Sequence, residues 1–158
     1  MQPVVDMREK AKQEAGRLVS LKREQLFQAE MELKRCEQAV EDCRQQQKEV
    51  KTRMLKEAEE GIEAHNIVGY RTHLSDLRKK EEELIVEVEK QRNVVARAET
   101  ELENALAALI DASKELKVIE THRENWHEQR RREFEKREQK LNDEIGAILY
   151  ERSERRSS

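Results

Sequence analysis

Apolar residues recur at alternating spacings of three and four between Ile67 and Trp126, and this repeat constrains the fold more than any other feature of the chain. The series is Ile67, Tyr70, Leu74, Leu77, Glu81, Leu84, Val88, Gln91, Val95, Ala98, Leu102, Ala105, Leu109, Ala112, Leu116, Ile119, Arg123 and Trp126. Fifteen of these eighteen positions are apolar or aromatic. A spacing that averages about 3.5 residues keeps one narrow stripe of a helix facing a partner helix. The repeat therefore predicts a long helix that packs in a coiled coil.

The first third of the chain carries a matching apolar series. It comprises Ala15, Val19, Lys22, Leu26, Ala29, Leu33, Cys36, Val40, Cys43, Gln47, Val50 and Met54, of which ten are apolar. Pro3 suits the first turn of a helix, and only Gly16 weakens helix formation before Glu60. We therefore expect the partner of the long helix to lie in the same chain.

The two series are separated by a short polar segment, residues 59–66, that contains Gly61. Glycine adopts the positive φ that ends many helices, and a short turn makes the two helices antiparallel. The predicted fold class is all-α, with two long helices forming an antiparallel coiled-coil hairpin with a C-terminal helical overhang. The predicted single domain spans 1–158, with helix 1 over about 3–60, the turn over about 61–66 and helix 2 over about 67–153. A bend near residue 62 places Val40 opposite Leu84 and Ala15 opposite Leu109.

The composition excludes several classes of protein. Charged residues make up 42% of the chain and hydrophobic residues 35%, which is too little apolar material for a compact globular core. Acidic and basic residues are interspersed and the net charge is only -3, so nucleic-acid binding is not expected. No apolar run approaches the roughly eighteen residues that a membrane span requires, so direct membrane insertion is not expected either. The N-terminus lacks the apolar core of a signal peptide, which favours a cytoplasmic protein.

Catalytic and metal-binding patterns are missing from the sequence. Cys36 and Cys43 are seven residues apart, about 10.5 Å along a helix, which is too far for a disulfide, so buried reduced thiols are expected. His122 and His127 are five residues apart instead of the four that would place two ligands on one helix face. We therefore expect no metal, no cofactor and no enzymatic activity.

Helix 2 is longer than its partner, so the segment from Arg123 to Ser158 is predicted to extend as an overhang. Its large apolar residues lack an intramolecular partner and are Trp126, Phe134, Leu141, Ile145, Ile148, Leu149 and Tyr150. An exposed apolar helix of this kind either frays or docks on another surface. We favour docking on a partner; the alternative is that these residues close an end-to-end homodimer or extend against a disordered tail. The run from Arg130 to Arg132 is flanked by acids, which favours a solvated face with i,i+4 ion pairs.

Two short motifs resemble the FliJ/YscO family of bacterial flagellar export and type III secretion injectisomes. Gly61-Ile62 followed by Tyr70, Leu74 and Leu77 is similar to the hairpin tip of that family. The segment 137–144, which contains Gln139-Lys140 and ends in Asp143-Glu144, is similar to its C-terminal pattern of a Gln-Lys pair followed shortly by Asp-Glu. The resemblance extends to the length, the hairpin placement and the overhang of the whole chain.

The resemblance implies a non-catalytic central stalk. Both helix ends would enter a hexameric export ATPase and promote its assembly and activity, while the hairpin tip would reach the export gate protein. The residues implied at the ATPase end are Trp126, Phe134, Gln139, Lys140, Leu141, Asp143 and Glu144, and those implied at the tip are Tyr70 and Leu77. Export chaperones are possible further partners. The implied location is cytoplasmic and peripheral to the inner membrane. The highly charged body and moderate length of the chain favour an injectisome over a flagellum. A coiled-coil chaperone or scaffold unrelated to an ATPase is the alternative function.

Overall fold

The computed structural model describes residues 1–61 and 63–158, which form two helices. Helix α1 spans Gln2–Glu59 and helix α2 spans Ala64–Ser157. No strand occurs in either described range. The prediction of an all-α chain with two long packed helices is therefore confirmed.

The chain divides into two compact units. The hairpin unit comprises Ala15–Leu109, and the terminal unit comprises Met1–Glu14 together with Ile110–Ser158. Each helix contributes a segment to both units. The buried residues of both helices belong to the two apolar series found in the sequence. Val5, near the N-terminus, is buried in addition.

The turn of the hairpin unit is made possible by a glycine at the end of α1. Gly61 has φ of 89°, in the left-handed region, as predicted for the residue that ends the first helix. Its backbone N–H donates to the carbonyl of Ala58 at 3.3 Å, which closes the last turn. The predicted tip residue Ile62 lies outside the described residues.

Helix α2 begins earlier than the sequence suggested, at Ala64 instead of about residue 67. The backbone N–H groups of Asn66 and Ile67 both donate to the carbonyl of Glu63, at 3.0 and 3.4 Å. Glu63 therefore accepts the first helical hydrogen bonds, and the polar run 64–66 becomes the first turn of the helix. At its other end α2 continues to Ser157, a few residues beyond the predicted end at about 153.

The core of the hairpin unit lies between the two helices near the turn. Its buried members are Cys43, Val50, Leu74 and Leu77, with Met54, Tyr70 and Leu84 packed against them. These residues all belong to the predicted apolar series. Each helix is therefore amphipathic, with one stripe that loses contact with water when the helices pair.

Polar residues interrupt the core at one level of the hairpin unit. The buried amide of Gln47 donates to Glu81 at 2.7 Å, and the Nε of Arg44 donates to the same carboxylate at 2.8 Å. Farther from the turn, Lys22 bonds to Glu101 at 3.0 Å and Gln91 donates to the carbonyl of Ala29 at 3.0 Å. These bonds join positions that the predicted register places nearly opposite one another.

In the terminal unit, the N-terminal residues of α1 pack against the middle of α2. Val5 is almost fully buried and Leu116 is buried. Arg8 forms an ion pair with Glu115, and Arg123 donates to the side-chain oxygen of Gln2 at 3.0 Å. Because Arg123 contacts the first residue of α1, the overhang begins at Glu124, one residue later than predicted.

Candidate functional site

The overhang of α2, residues 124–158, is the first candidate surface. Every side chain in this range is exposed, and the helix continues to Ser157. Its exposed large apolar residues are those that the sequence singled out, namely Trp126, Phe134, Leu141, Ile145, Ile148, Leu149 and Tyr150. Within the described residues, no segment of α1 covers them. The overhang therefore presents apolar surface that the isolated chain leaves in water.

The apolar positions of the overhang are out of phase with those that face α1. Phe134 follows Trp126 by eight residues, one more than a heptad, and Leu141 and Ile148 then keep the new phase. An α-helix turns by about 100° per residue, so the shift rotates the apolar stripe by roughly a quarter turn. A protein that binds this stripe would therefore approach α2 from a different side than the N-terminal part of α1 does.

At the end of the overhang, apolar side chains surround the helix. Ile148, Leu149 and Tyr150 are consecutive and all well exposed. Consecutive residues point in directions about 100° apart, so these three cover most of the circumference. The Tyr150 hydroxyl donates to Glu154 at 2.8 Å, which keeps its ring along the same helix. This arrangement suits an enclosing partner better than a single flat surface.

The basic run near the start of the overhang is neutralised locally. Arg131 pairs with Glu135, and Arg132 pairs with Glu128, each at the predicted i,i+4 spacing. The guanidinium of Arg130 lies over the ring of Trp126, with its central carbon 4.9 Å from the ring centroid. The run is thus a paired helix face in which Arg130 also covers one side of the exposed tryptophan.

The other residues predicted at the ATPase end are solvent-exposed on the overhang. Gln139, Lys140, Asp143 and Glu144 all lie on the surface of α2. They are available to a partner, and their role stays a prediction.

The two residues predicted at the tip surface occupy different environments. Tyr70 is half-buried, and its hydroxyl donates to Glu57 on α1 at 2.5 Å, which raises the pKa of the tyrosine. Leu77 is buried in the core, where its carbonyl accepts a bond from the thiol of Cys43. The Leu77 side chain thus has little surface to offer, and the tip contact predicted for both residues stays a prediction.

Of the two thiols that were expected to be buried, only one is. Cys43 is buried and Cys36 is half-buried, and both are free. Burial, followed by the nearby charge of Glu32, raises the pKa of the Cys36 thiol. A raised pKa disfavours the reactive thiolate. Among the described residues, no group of three or more His, Cys, Asp or Glu side chains is placed to hold a metal ion.

A second surface, which sequence reasoning missed, lies on the hairpin unit beside the turn. A groove there is lined by Lys51, Met54 and Leu55 from α1 and by Arg71, Leu74 and Arg78 from α2. We call it the basic groove, because three of its six residues are cations and none is acidic. The sequence contains a signal for it, since Lys51, Arg71 and Arg78 each follow directly after a residue of the apolar series.

Comparison with known proteins now decides the family. The model of the YscO-like family matches residues 1–156, nearly the entire chain. This chain belongs to the YscO-like family. It is therefore a coiled-coil, stalk-like protein of type III secretion, as the resemblance of its tip and tail motifs implied.

A solved structure shows the same fold. CT670 from Chlamydia trachomatis, described as a YscO homolog, superposes on this chain with a TM-score of 0.82. The alignment covers 94% of this chain and 92% of that chain at 23% sequence identity. No curated protein matches the sequence. Neither helix, over the residues described, contains a stretch that is long and apolar enough to cross a bilayer.

Proposed function

We propose that this YscO-like chain is the non-catalytic central stalk of a type III secretion system. In this role the overhang binds the hexameric export ATPase and promotes its assembly and activity. The turn end of the hairpin unit contacts the export gate protein, with export chaperones as further partners. The protein acts at the cytoplasmic side of the bacterial inner membrane, peripheral to the export apparatus.

The observation that carries this proposal is the uncovered apolar surface of the overhang. A helix gains little stability from its own backbone, so exposed Phe134 and Leu141 are more economically explained by a docking partner than by the isolated chain. Large apolar anchors also dominate the energy of many interfaces. Apolar side chains on several sides of the helix at residues 148–150 favour a partner that surrounds it, such as the pore of a ring.

A non-catalytic helix can activate a ring through differential binding. A ligand shifts a conformational equilibrium only by the difference in its affinity for the two states. The stripe containing Phe134 and Leu141 lies on one side of the helix, so it contacts the surrounding subunits unequally. Unequal contacts would stabilise assembled and catalytically competent subunits over free ones, while nucleotide chemistry stays in the ring.

The test measures ATP hydrolysis by the type III secretion ATPase of the same organism, with and without this protein. We expect the intact protein to stimulate hydrolysis and to increase the proportion of ATPase hexamers seen by light scattering. The variant F134A/L141A should lose the stimulation and keep its helical circular dichroism spectrum.

A matched control is available on the hairpin unit. Phe27 and Leu21 are 56% and 52% exposed, close to the 61% and 56% of Phe134 and Leu141. The variant F27A/L21A removes the same side chains from an equally exposed surface and should stimulate the ATPase normally. Equal loss in both variants, or no stimulation by the folded protein under conditions where hexamers form, would refute the stalk proposal. The second result would favour a chaperone or scaffold that is indifferent to the ATPase.

A further inference from the structure

The basic groove is a cluster of positive charge beside the turn of the hairpin unit. Lys51, Arg71 and Arg78 line the groove together, and no acid is among its lining residues. None of the three lies within salt-bridge distance of an acidic side chain in the part of the chain that the structure describes. In a chain with 35 acidic and 32 basic residues, such a group of unpaired cations is a local exception.

These cations lie where flanking charges affect the stability of the helix pair. Each follows a residue of the apolar series, so all three flank the same edge of the contact between α1 and α2. Glu37 and Arg92 occupy equivalent positions farther from the turn, and there the two helices bring opposite charges to 3.9 Å. Flanking pairs of opposite charge stabilise a coiled coil, whereas pairs of like charge destabilise it. At the basic groove both helices instead contribute cations, and no salt bridge between described residues joins the helices through Lys51, Arg71 or Arg78.

The floor of the groove is apolar. Leu74 is buried and Met54 is half-buried, while Leu55 is 61% exposed at the rim. Apolar floor and cationic rim together are complementary to a helix with apolar residues on one face and carboxylates beside them. The groove contains no aromatic residue on which a nucleic-acid base could stack, and Leu55 offers nothing to a phosphate. The chemistry thus favours a protein segment over a nucleic acid.

We propose that the basic groove binds an acidic amphipathic helix of a partner protein. The apolar face of this helix packs on Met54, Leu55 and Leu74 and makes a third helix beside α1 and α2. Its carboxylates pair with Lys51, Arg71 and Arg78 and relieve their mutual repulsion. The groove lies beside the turn, where the proposed stalk contacts the export gate protein, so this inference deepens that part of the proposed function and rests on it for the partner. It concerns side chains other than Tyr70 and Leu77, and its test is independent of ATPase stimulation.

The test uses a fluorescein-labelled peptide of about 18 residues, roughly five helical turns, with leucine at heptad spacing and glutamate at the flanking positions. Binding to the full chain is followed by fluorescence anisotropy. One control peptide carries lysine in place of glutamate, and a second carries serine in place of leucine. We expect the acidic leucine peptide to bind and both control peptides to bind at least about tenfold more weakly.

Charge reversal on the protein locates the site. The variant R71E/R78E should weaken binding of the acidic peptide by about tenfold or more, because two attractive contacts become repulsive. The variant K79E/R97E makes the same change in net charge at exposed positions of the same helix, outside the groove, and should bind normally. A third variant, L55S, removes the exposed apolar contact without changing the charge and should also weaken binding.

Three results would overturn the proposal. The first is failure of the acidic peptide to bind the folded protein. The second is equal weakening by R71E/R78E and K79E/R97E, which would indicate long-range attraction by net charge alone. The third is equal binding of the serine peptide or of a single-stranded oligonucleotide, which would indicate an unspecific polyanion surface.

Discussion

Replacing leucine by alanine should destabilise the protein at a core position of α2 and leave its stability unchanged on the overhang. Leu77 is 6% exposed and packs against Cys43, Val50 and Leu74, whereas Leu141 is 56% exposed on the overhang. A buried Leu→Ala change costs about 2–5 kcal/mol, the sum of lost transfer energy and a cavity. The core of two helices is one layer deep and open at its flanks, so water and neighbouring side chains reduce the cavity term. We therefore expect Leu77→Ala to cost about 2–3 kcal/mol, at the lower end of that range.

The same change at Leu141 should alter the free energy of unfolding by less than about 0.5 kcal/mol, as for most exposed positions. Urea unfolding followed by circular dichroism measures both variants. With a denaturant slope of about 2 kcal/mol per molar, Leu77→Ala lowers the midpoint by roughly 1 M or more, and Leu141→Ala leaves it unchanged. Equal shifts would contradict this reasoning, because Leu141 would then be packed in the isolated protein. Repeating the measurement at several protein concentrations would show whether a second copy covers it.

Three further predictions concern the glycines, the polar cluster of Arg44, Gln47 and Glu81, and the thiol of Cys36. Gly61→Ala should destabilise the protein by about 1 kcal/mol, because Gly61 has a positive φ that alanine adopts poorly. Gly16 lies in a helix with open space at its Cβ position, so Gly16→Ala should stabilise the protein by a similar amount in thermal unfolding. Hydrogen bonds, first from Arg44 and then from Gln47, lower the pKa of Glu81 from its ordinary value of 4.5. The charged carboxylate therefore stabilises the folded protein fully at pH 7, and this stabilisation is lost as the pH falls through the lowered pKa. The difference in melting temperature between the protein and Glu81→Gln should therefore shrink on acidification, and a difference that grows would refute the assignment. Iodoacetamide should label Cys36 more slowly in the folded protein than in urea, as measured by peptide mapping, because its pKa is raised, and equal rates would show that the thiol is open to solvent.

The polar level formed by Arg44, Gln47 and Glu81 gives the hairpin unit a defined register. Apolar pairs tolerate a shift of one heptad, since leucine and valine pack in many alternative positions. A shifted register would leave the buried amide of Gln47 without the Glu81 carboxylate. Leaving a buried polar group unpaired costs about 1–3 kcal/mol. The three residues therefore disfavour other alignments of the helices, in the way that single polar core residues specify coiled-coil pairing.

The overhang and the basic groove lie in different units of the chain and differ in chemistry. The overhang exposes large apolar side chains and pairs its cations locally, as in Arg131 with Glu135. The basic groove does the reverse, with cations left unpaired around a small apolar floor. Two surfaces of different chemistry fit a protein that contacts two different partners.

Much of the candidate site could be read from the sequence. The apolar repeat requires a partner for Ile67 to Arg123, and the shorter first series leaves Phe134 and Leu141 uncovered. The repeat also placed Leu77 in the core, as the structure shows, although the family resemblance assigned this residue to the tip surface. The resemblance thus identified the family correctly, while the periodicity described the environment of that side chain better.

The two helices, the glycine at the turn and the overhang all follow from the order of the amino acids. These features depend on local backbone preference and on the spacing of apolar residues along each helix. The packing of the helices was needed to learn which side chains meet across them, such as Arg44 with Glu81, and that Lys51, Arg71 and Arg78 line one groove. Those encounters depend on the register of α1 against α2, and a change of a few residues in register would pair each flanking charge with a different neighbour.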